Sequence, residues 1–295
     1  MDWLFKFPQL SSDFLLGLKR TIDGSLRAFT RVYGAGIENA FYPLQQLLIF
    51  FENVITKAPW PLVILVIAAI GWFASRKWSV VLSVIVTLLV IGLFGLWVDT
   101  MKTISLVFSA TLFSVALGIP LGIIMNRFKV AGRFLQGLLD VMQTMPPFVY
   151  LIPVVMLLGI GRVPGFIAVV IYAIPPVIRL TDLGIRMVDK EVLEAADAYG
   201  CSRWQKLVNV QLPLALPTIM AGVNQTIMMA LGMVVIASMI GVQGLGLNVL
   251  QAIANQYFTQ GILSGFAIVG IAIIFDRISQ AYGQRLQKHR GSAHE

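Results

Sequence analysis

Seven stretches of this chain are apolar over lengths close to the roughly 20 residues that an α-helix needs to cross a bilayer, and no other property restricts the possible folds as much. Their limits are 59 to 75, 78 to 98, 103 to 125, 135 to 160, 164 to 183, 214 to 240 and 261 to 281, the first being the shortest. Hydrophobic residues make up 58% and charged residues 12% of 295 positions, against about 45–50% and about 25% in an ordinary soluble domain. The expected fold class is an all-α integral membrane protein with about seven transmembrane helices.

Sidedness follows from the basic residues. Arg76 and Lys77, then Arg127, Lys129 and Arg133, then Arg186, Lys190, Arg203 and Lys206, then Arg285, Lys288 and Arg290 mark alternate connections, whereas the others carry only Lys102 and Arg162 beside Asp99. Lys and Arg are retained on the cytoplasmic side, so the C-terminus is expected inside and the N-terminus outside a bacterial cytoplasmic membrane. The formal charge of +8 is accounted for by these loops, and nucleic acid is not an expected partner. The N-terminus lacks the pattern of a cleavable signal, so the first span is expected to act as the insertion signal.

Residues 1–58 are expected as an extracytoplasmic region that does not span, with Lys6, Lys19, Arg20, Arg27 and Arg31 among apolar residues. Phe41 to Ile55, FYPLQQLLIFFENVI, reads as an amphipathic helix lying in the membrane interface, the alternative being a partly disordered tail. Residues 59–98 form two accessory helices, 99–284 the core, and 285–295 a basic tail. One cysteine, Cys201, excludes an internal disulfide, and with both histidines, His289 and His294, in the tail no buried His/Cys metal site can be built.

Between the fifth and sixth apolar stretches stands a polar insert, DKEVLEAADAYGCSRWQKLVNVQLP, from Asp189 to Pro213. Asp189 can cap a short helix, Val192, Ala195, Ala196 and Tyr199 share one face, and Gly200 can stop it. Ser202 and Gln205 form a capping-box pair for a second helix, expected to end before Pro213. The insert thus predicts a helix-turn-helix that can pass displacement between two spans.

The prolines within spans predict interrupted helices. Pro146-Pro147 and Pro153 fall in the fourth span and Pro175-Pro176 in the fifth, each removing a backbone donor. Interrupted backbone at membrane depth is tolerated where it lines a cavity or packs on protein. Two readings stand side by side: a translocation path with Met145, Pro146, Pro147, Phe148 and Tyr150 near a gate and Pro175 and Pro176 beside it, or structural kinks. Gln143, Asn224 and Gln225 are the polar residues at depth that could touch a solute, while Asp140, Arg179, Asp182 and Asp276-Arg277 lie near span ends. No carboxylate stands clearly at mid-membrane, which fits a conduit of weak affinity better than a carrier with a deep ionic site. Gly118 and Gly122 have GxxxG spacing for close packing, although Pro120 between them argues against a simple dimer motif. Gly241, Gly244 and Gly246 do not have dinucleotide-fingerprint spacing and are expected to shape an extracytoplasmic re-entrant turn. No GxxxxGK[ST] phosphate loop occurs, so any ATPase must be another subunit.

Glu194-Ala195-Ala196, Gly200 and Leu212-Pro213 together resemble the EAA loop of permease subunits of bacterial ABC importers. TMKTISLVFSATLFSVALGIPLGI, MQTMPPFVYLIPVVMLLGIG, IYAIPPVIRLTDLGIR and QLPLALPTIMAGVNQTIMMALGMVVIASMIG resemble the glycine betaine/proline betaine branch, from about Asp99 to about Gln284. The resemblance implies a type I importer permease whose five-helix core is the third to seventh spans. It implies that Glu194, Ala195, Ala196, Asp197, Gly200, Leu212 and Pro213 of the loop at 186–213 couple to a dimer of ABC ATPase subunits. It further implies a second copy of the chain, an extracytoplasmic binding protein, and ATP with magnesium on the partner, this chain binding no cofactor itself. The implied cargo is a compatible solute such as glycine betaine, proline betaine or choline; carnitine, histidine or another small amine remains open within the family. A secondary transporter and a membrane-embedded enzyme are the readings outside it. Neither internal repeats nor a convergent acid, base or metal cluster supports those two.

Overall fold

A computed structural model describes residues 10–291 of the chain. Lys6 and His294 lie outside the described residues, as do the side chains of Lys288, His289 and Arg290. The described residues contain helices and no strand.

The chain begins with α1 (Ser12–Lys57), capped by the Ser11 hydroxyl, which accepts the Phe14 N–H at 3.3 Å. The amphipathic helix expected at Phe41 to Ile55 is therefore the second half of a 46-residue helix, and residues 12–57 are not a disordered tail. Ala58, which precedes Pro59, is extended at ψ 144° because a residue before proline is pushed out of the helical region, and Pro59 follows it with ψ 133°. The chain turns there by 106° between 39–57 and α2 (Trp60–Ser75). Arg76, in the left-handed region at φ 53°, ends α2, and α3 (Trp78–Leu93) returns beside it.

Next come α4 (Trp97–Arg127), α5 (Lys129–Thr144) and α6 (Pro147–Leu158). The single span expected at 135 to 160 is instead two helices meeting at 103°. Met145 and Pro146 are extended, with ψ 135° and 138°, since each precedes a proline. By contrast α7 (Arg162–Ala173) and α8 (Pro175–Arg186) run on as one span of 25 residues. Pro175 and Pro176 stand at the first two positions of α8, where a missing N–H costs little. After a polar elbow, α11 (Leu212–Ser238), α12 (Leu245–Asn255) and α13 (Phe258–Gly291) complete the bundle.

Among the described residues, four helical spans are long and apolar enough to cross a membrane, at 97–127, 162–186, 203–238 and 258–283. The two bent pairs raise this to six if each is one span, and the apolar α3 has 16 residues. The expected count of about seven thus resolves into straight spans, bent pairs and one short helix.

The main core gathers α4, α7, α11, α12 and α13 around Phe166, Val107, Met233, Val234 and Leu245, with Leu48 of α1 entering from one side. A second cluster joins α2, α3, α4 and α13 through Val84, Leu88 and Met101. Close helix approach depends on glycine: a Cβ on Gly118 would lie 2.4 Å from Val177, and one on Gly122 would lie 2.7 Å from the Ile178 carbonyl. The GxxxG pair therefore packs α4 on α8 within one chain.

The basic connections converge on one end. Arg285 donates to the Phe73 carbonyl at 2.8 Å, joining the ends of α13 and α2, and Asn126 donates to Asp182 at 3.2 Å, joining those of α4 and α8. At the opposite end Lys102 donates to Gln243, Asn248 donates to Asp99, and Arg162 pairs with Glu52 at 3.1 Å.

Candidate functional site

The polar elbow at the basic end is built by local capping. The Asp189 carboxylate accepts the Glu191 N–H at 3.0 Å and starts α9 (Lys190–Ala198). Gly200, at φ +74°, ends it: its N–H reaches the Asp197 carbonyl and that of Cys201 reaches the Ala196 carbonyl. This pair of bonds is a Schellman motif, which requires a left-handed residue at the glycine position. Ser202 and Gln205 then close a reciprocal capping box at 3.3 and 2.8 Å around α10 (Arg203–Gln205).

The second loop helix does not end before Pro213, contrary to the expectation from the ladder. A π-helical segment, Lys206–Gln211, continues α10 directly into α11, and the Leu212 N–H reaches back to Leu207. The wider turn carries the chain past Pro213, which falls in the first turn of α11, where proline is tolerated. The second arm of the elbow, from Arg203, is thereby one continuous rod with α11.

Its other end is equally fixed. Asp182, with its side chain 8% exposed, accepts from Arg186 through both carboxylate oxygens at 2.9 and 2.8 Å and from Asn126. Ile185, Ala215 and Ile219 pack with Leu207 and Leu212 against Ile119 and Ile123 of α4. Lys206 pairs with Asp197, tying α9 to the π segment. Displacement of the elbow must therefore move α4, α8 and α11 with it.

The expected coupling residues divide between these two tasks. Ala196 is buried, Asp197 and Leu212 brace, Gly200 turns, and Pro213 lies in the splice. Glu194 and Ala195 are exposed with Val192, and Tyr199 is 90% exposed. The apolar face expected to be shared by Val192, Ala195, Ala196 and Tyr199 is thus turned inward only at Ala196.

Residues expected along a path fall into two groups. Met145, Pro146, Pro147 and Phe148 occupy the α5–α6 joint, with Phe148 52% exposed, while Tyr150 is buried edge-on against Tyr172 at 6.2 Å. Pro175 and Pro176 are buried, the latter's carbonyl lying against Gly222 of α11. Gln225 and Gln143 are exposed. Asn224 instead donates to Asp276 of α13 at 2.9 Å, and Gln280 donates to the same oxygen at 2.6 Å. Arg277, the sequence neighbour of Asp276, is exposed. Asp140 pairs with Arg179 at 2.6 Å, locking α5 to α8.

Sequence reading missed the polar cluster at the other end. The Thr103 hydroxyl accepts the Leu245 N–H at 2.9 Å, and Gly244, at φ +124°, lies so close that a Cβ would come within 2.6 Å of that oxygen. The glycines had signalled a turn, but its docking site on α4 had no sequence signature.

Comparison with known proteins places this architecture. Residues 114–288 match the family described as binding-protein-dependent transport system inner membrane component. The chain is 47% identical over 250 residues to the glycine betaine/proline betaine transport system permease protein ProW of Escherichia coli (strain K12), covering 85% of this chain and 70% of that protein. It is 43% identical over 265 residues to the glycine betaine/carnitine transport permease protein GbuB of Listeria monocytogenes serotype 1/2a (strain 10403S), covering 89% and 90%. In fold it resembles a chain of the MetNI methionine ABC transporter solved in inward-facing conformations, with a TM-score of 0.55 and 19% identity over 63% of this chain and 92% of that one. An α-helical membrane bundle carrying a braced polar elbow, with this identity over most of its length, makes the chain a member of the binding-protein-dependent transport system inner membrane component family.

Proposed function

We propose that this chain is the permease of an ATP-driven importer for a quaternary-amine compatible solute such as glycine betaine or proline betaine, with the elbow as the part that receives force. The observation that carries the reading is the continuity of Arg203–Ser238 as one helical rod, to which Lys206 and Asp197 tie an α9 that exposes Glu194 and Ala195. A neighbouring ATPase dimer that grips this edge would move α8 and α11 together, and a second copy would complete the path. ATP and magnesium belong to the ATPase, and an extracytoplasmic binding protein delivers the solute. The identity to betaine permeases supports the substrate class.

The charge distribution supports an elbow on the cytoplasmic side. The 106° turn at Ala58-Pro59 supports an α1 that runs nearly in the membrane plane on the opposite side. The path itself would pass the α5–α6 joint, with Met145, Pro146, Pro147, Phe148 and Tyr150 nearest the gate. Pro175, Pro176 and Gln225 line its flank, and Asn224 holds α13 through Asp276.

Uptake of labelled glycine betaine by the chain with its ATPase and binding protein tests the whole reading. Uptake should require all three, and uptake driven by an ion gradient without the ATPase would overturn it. Single cysteines at Met145, Phe148 and Tyr150 should react with a membrane-impermeant thiol reagent in one nucleotide state and be protected in another. Protection in every state would remove them from the path.

A further inference from the structure

Between the end of α4 and the elbow lies a groove of about 460 Å³ that the transport reading leaves unused. Its lining includes two exposed arginines, Arg127 and Arg203, neither of whose guanidinium groups has a hydrogen bond or ion pair among the described residues. The groove is lined by no carboxylate, and Asp182 at the end of α8 is already taken by Arg186 and Asn126. Two unneutralised cations beside one opening attract an anion with more than one oxygen, because the planar guanidinium donates in pairs.

The floor is of a different character. Ile123, Ile124 and Leu207 are apolar, Ile124 lies on the same face of α4 as Leu117, seven residues before it, and Phe128 stands just beyond the helix end. Leu117, Ile124 and Phe128 are 52%, 40% and 59% exposed, forming an apolar track that leads from the groove into the span. Trp204, 71% exposed, stands at the mouth, the position aromatic side chains favour at a membrane surface. One wall is the π-helical segment, which turns Leu207 and Gln211 into the groove, and such segments are frequent at functional sites.

We infer that this groove binds an anionic phospholipid, with the headgroup phosphate between Arg127 and Arg203 and an acyl chain along the Leu117–Ile124–Phe128 track. A soluble phosphate would use the arginines but gain nothing from the apolar floor or its continuation along α4. The bound lipid bridges α4 and the π wall of the elbow, so it acts as a removable brace on the segment that must move. Because lipid retention is measured on the isolated chain, the inference stands or falls separately from the transport reading.

The test is native mass spectrometry of the full-length chain taken from nanodiscs containing phosphatidylglycerol and phosphatidylcholine. The wild type should retain phosphatidylglycerol selectively. The R127Q/R203Q double variant should lose that selectivity by tenfold or more, on the order expected for two cations at a membrane surface. K129Q, which alters a neighbouring cation outside the groove, should retain it, and unchanged melting shows that the double variant is folded. Equal selectivity in the wild type and the double variant would overturn the site. Displacement of the lipid by excess inorganic phosphate or glycerol 3-phosphate would reassign the groove to a soluble anion. Weaker co-purification of the ATPase with lipid retention unchanged would reassign it to a protein contact. Either result overturns the inference.

Discussion

Substituting Gly200 tests whether the elbow works through its backbone geometry. The residue sits at φ +74° at the end of α9, and a Cβ built there meets nothing within 4 Å. Steric crowding is therefore absent, and the cost is confined to placing an L-residue in the left-handed region, roughly 1–2 kcal/mol. Asparagine visits that region readily, alanine less so, and a β-branched residue least of all. A penalty of 1–2 kcal/mol shifts a two-state equilibrium by about 5- to 30-fold. The bonds at risk are those from Gly200 to the Asp197 carbonyl and from Cys201 to the Ala196 carbonyl. Their loss would free α9 from the capping box and unload the contact between Asp197 and Lys206. Solute uptake and solute-stimulated ATPase activity, measured in proteoliposomes with the partner subunits, should fall in the order Gly200→Asn, Gly200→Ala, Gly200→Val. Basal ATPase activity and the melting temperature of the bundle should hardly change. Full coupling in Gly200→Val would refute the reasoning, and so would equal damage from asparagine and valine, since volume would then matter more than backbone conformation.

At Gly122, where a new Cβ would meet Thr181 at 2.6 Å and the Ile178 carbonyl at 2.7 Å, alanine should destabilise the bundle by about 1–3 kcal/mol, as overpacking does. Unchanged thermal unfolding in detergent would show that α4 and α8 can separate freely. Asp182→Ala removes the acceptor for Arg186 and Asn126 and should cost about 2 kcal/mol. Faster proteolysis at Arg186 or Lys190 would register the loosened elbow, and an unchanged cleavage rate would count against the brace. A double-mutant cycle on Asn224→Ala and Asp276→Ala should give a coupling of about 1 kcal/mol, typical of hydrogen bonds between membrane helices. Zero coupling would show that the 2.9 Å contact contributes nothing to α11–α13 association.

The local devices of the elbow were legible because each depends on neighbours in the chain. An Asx cap, a glycine at the left-handed position and a Ser/Gln capping box involve residues within five positions of each other, so their spacing is their signature. The passage through Pro213 was not legible, since the penalty for proline assumes an α-helical ladder and the chain changes to a wider turn just before it. The partner of one polar residue at depth was hidden for a related reason. Asn224 looked free for a passing solute, yet its partner Asp276 stands 52 positions away on a helix that faces it only in the folded bundle.

The sequence alone determined a helical membrane protein with one basic end, because hydrophobic length and the placement of Lys and Arg are properties of segments and need no packing partner. It also determined the caps of the elbow, though not its passage into α11. Only the tertiary structure decided which prolines bend the chain: Ala58-Pro59 and Met145-Pro146-Pro147 turn through more than 100°, whereas Pro175-Pro176 continue a span. Proline removes the same donor in each case, but α8 is held by α4 and α11 closing over Gly118, Gly122 and Gly222. A break straightens where neighbours crowd it from both sides and stays bent where one side is open.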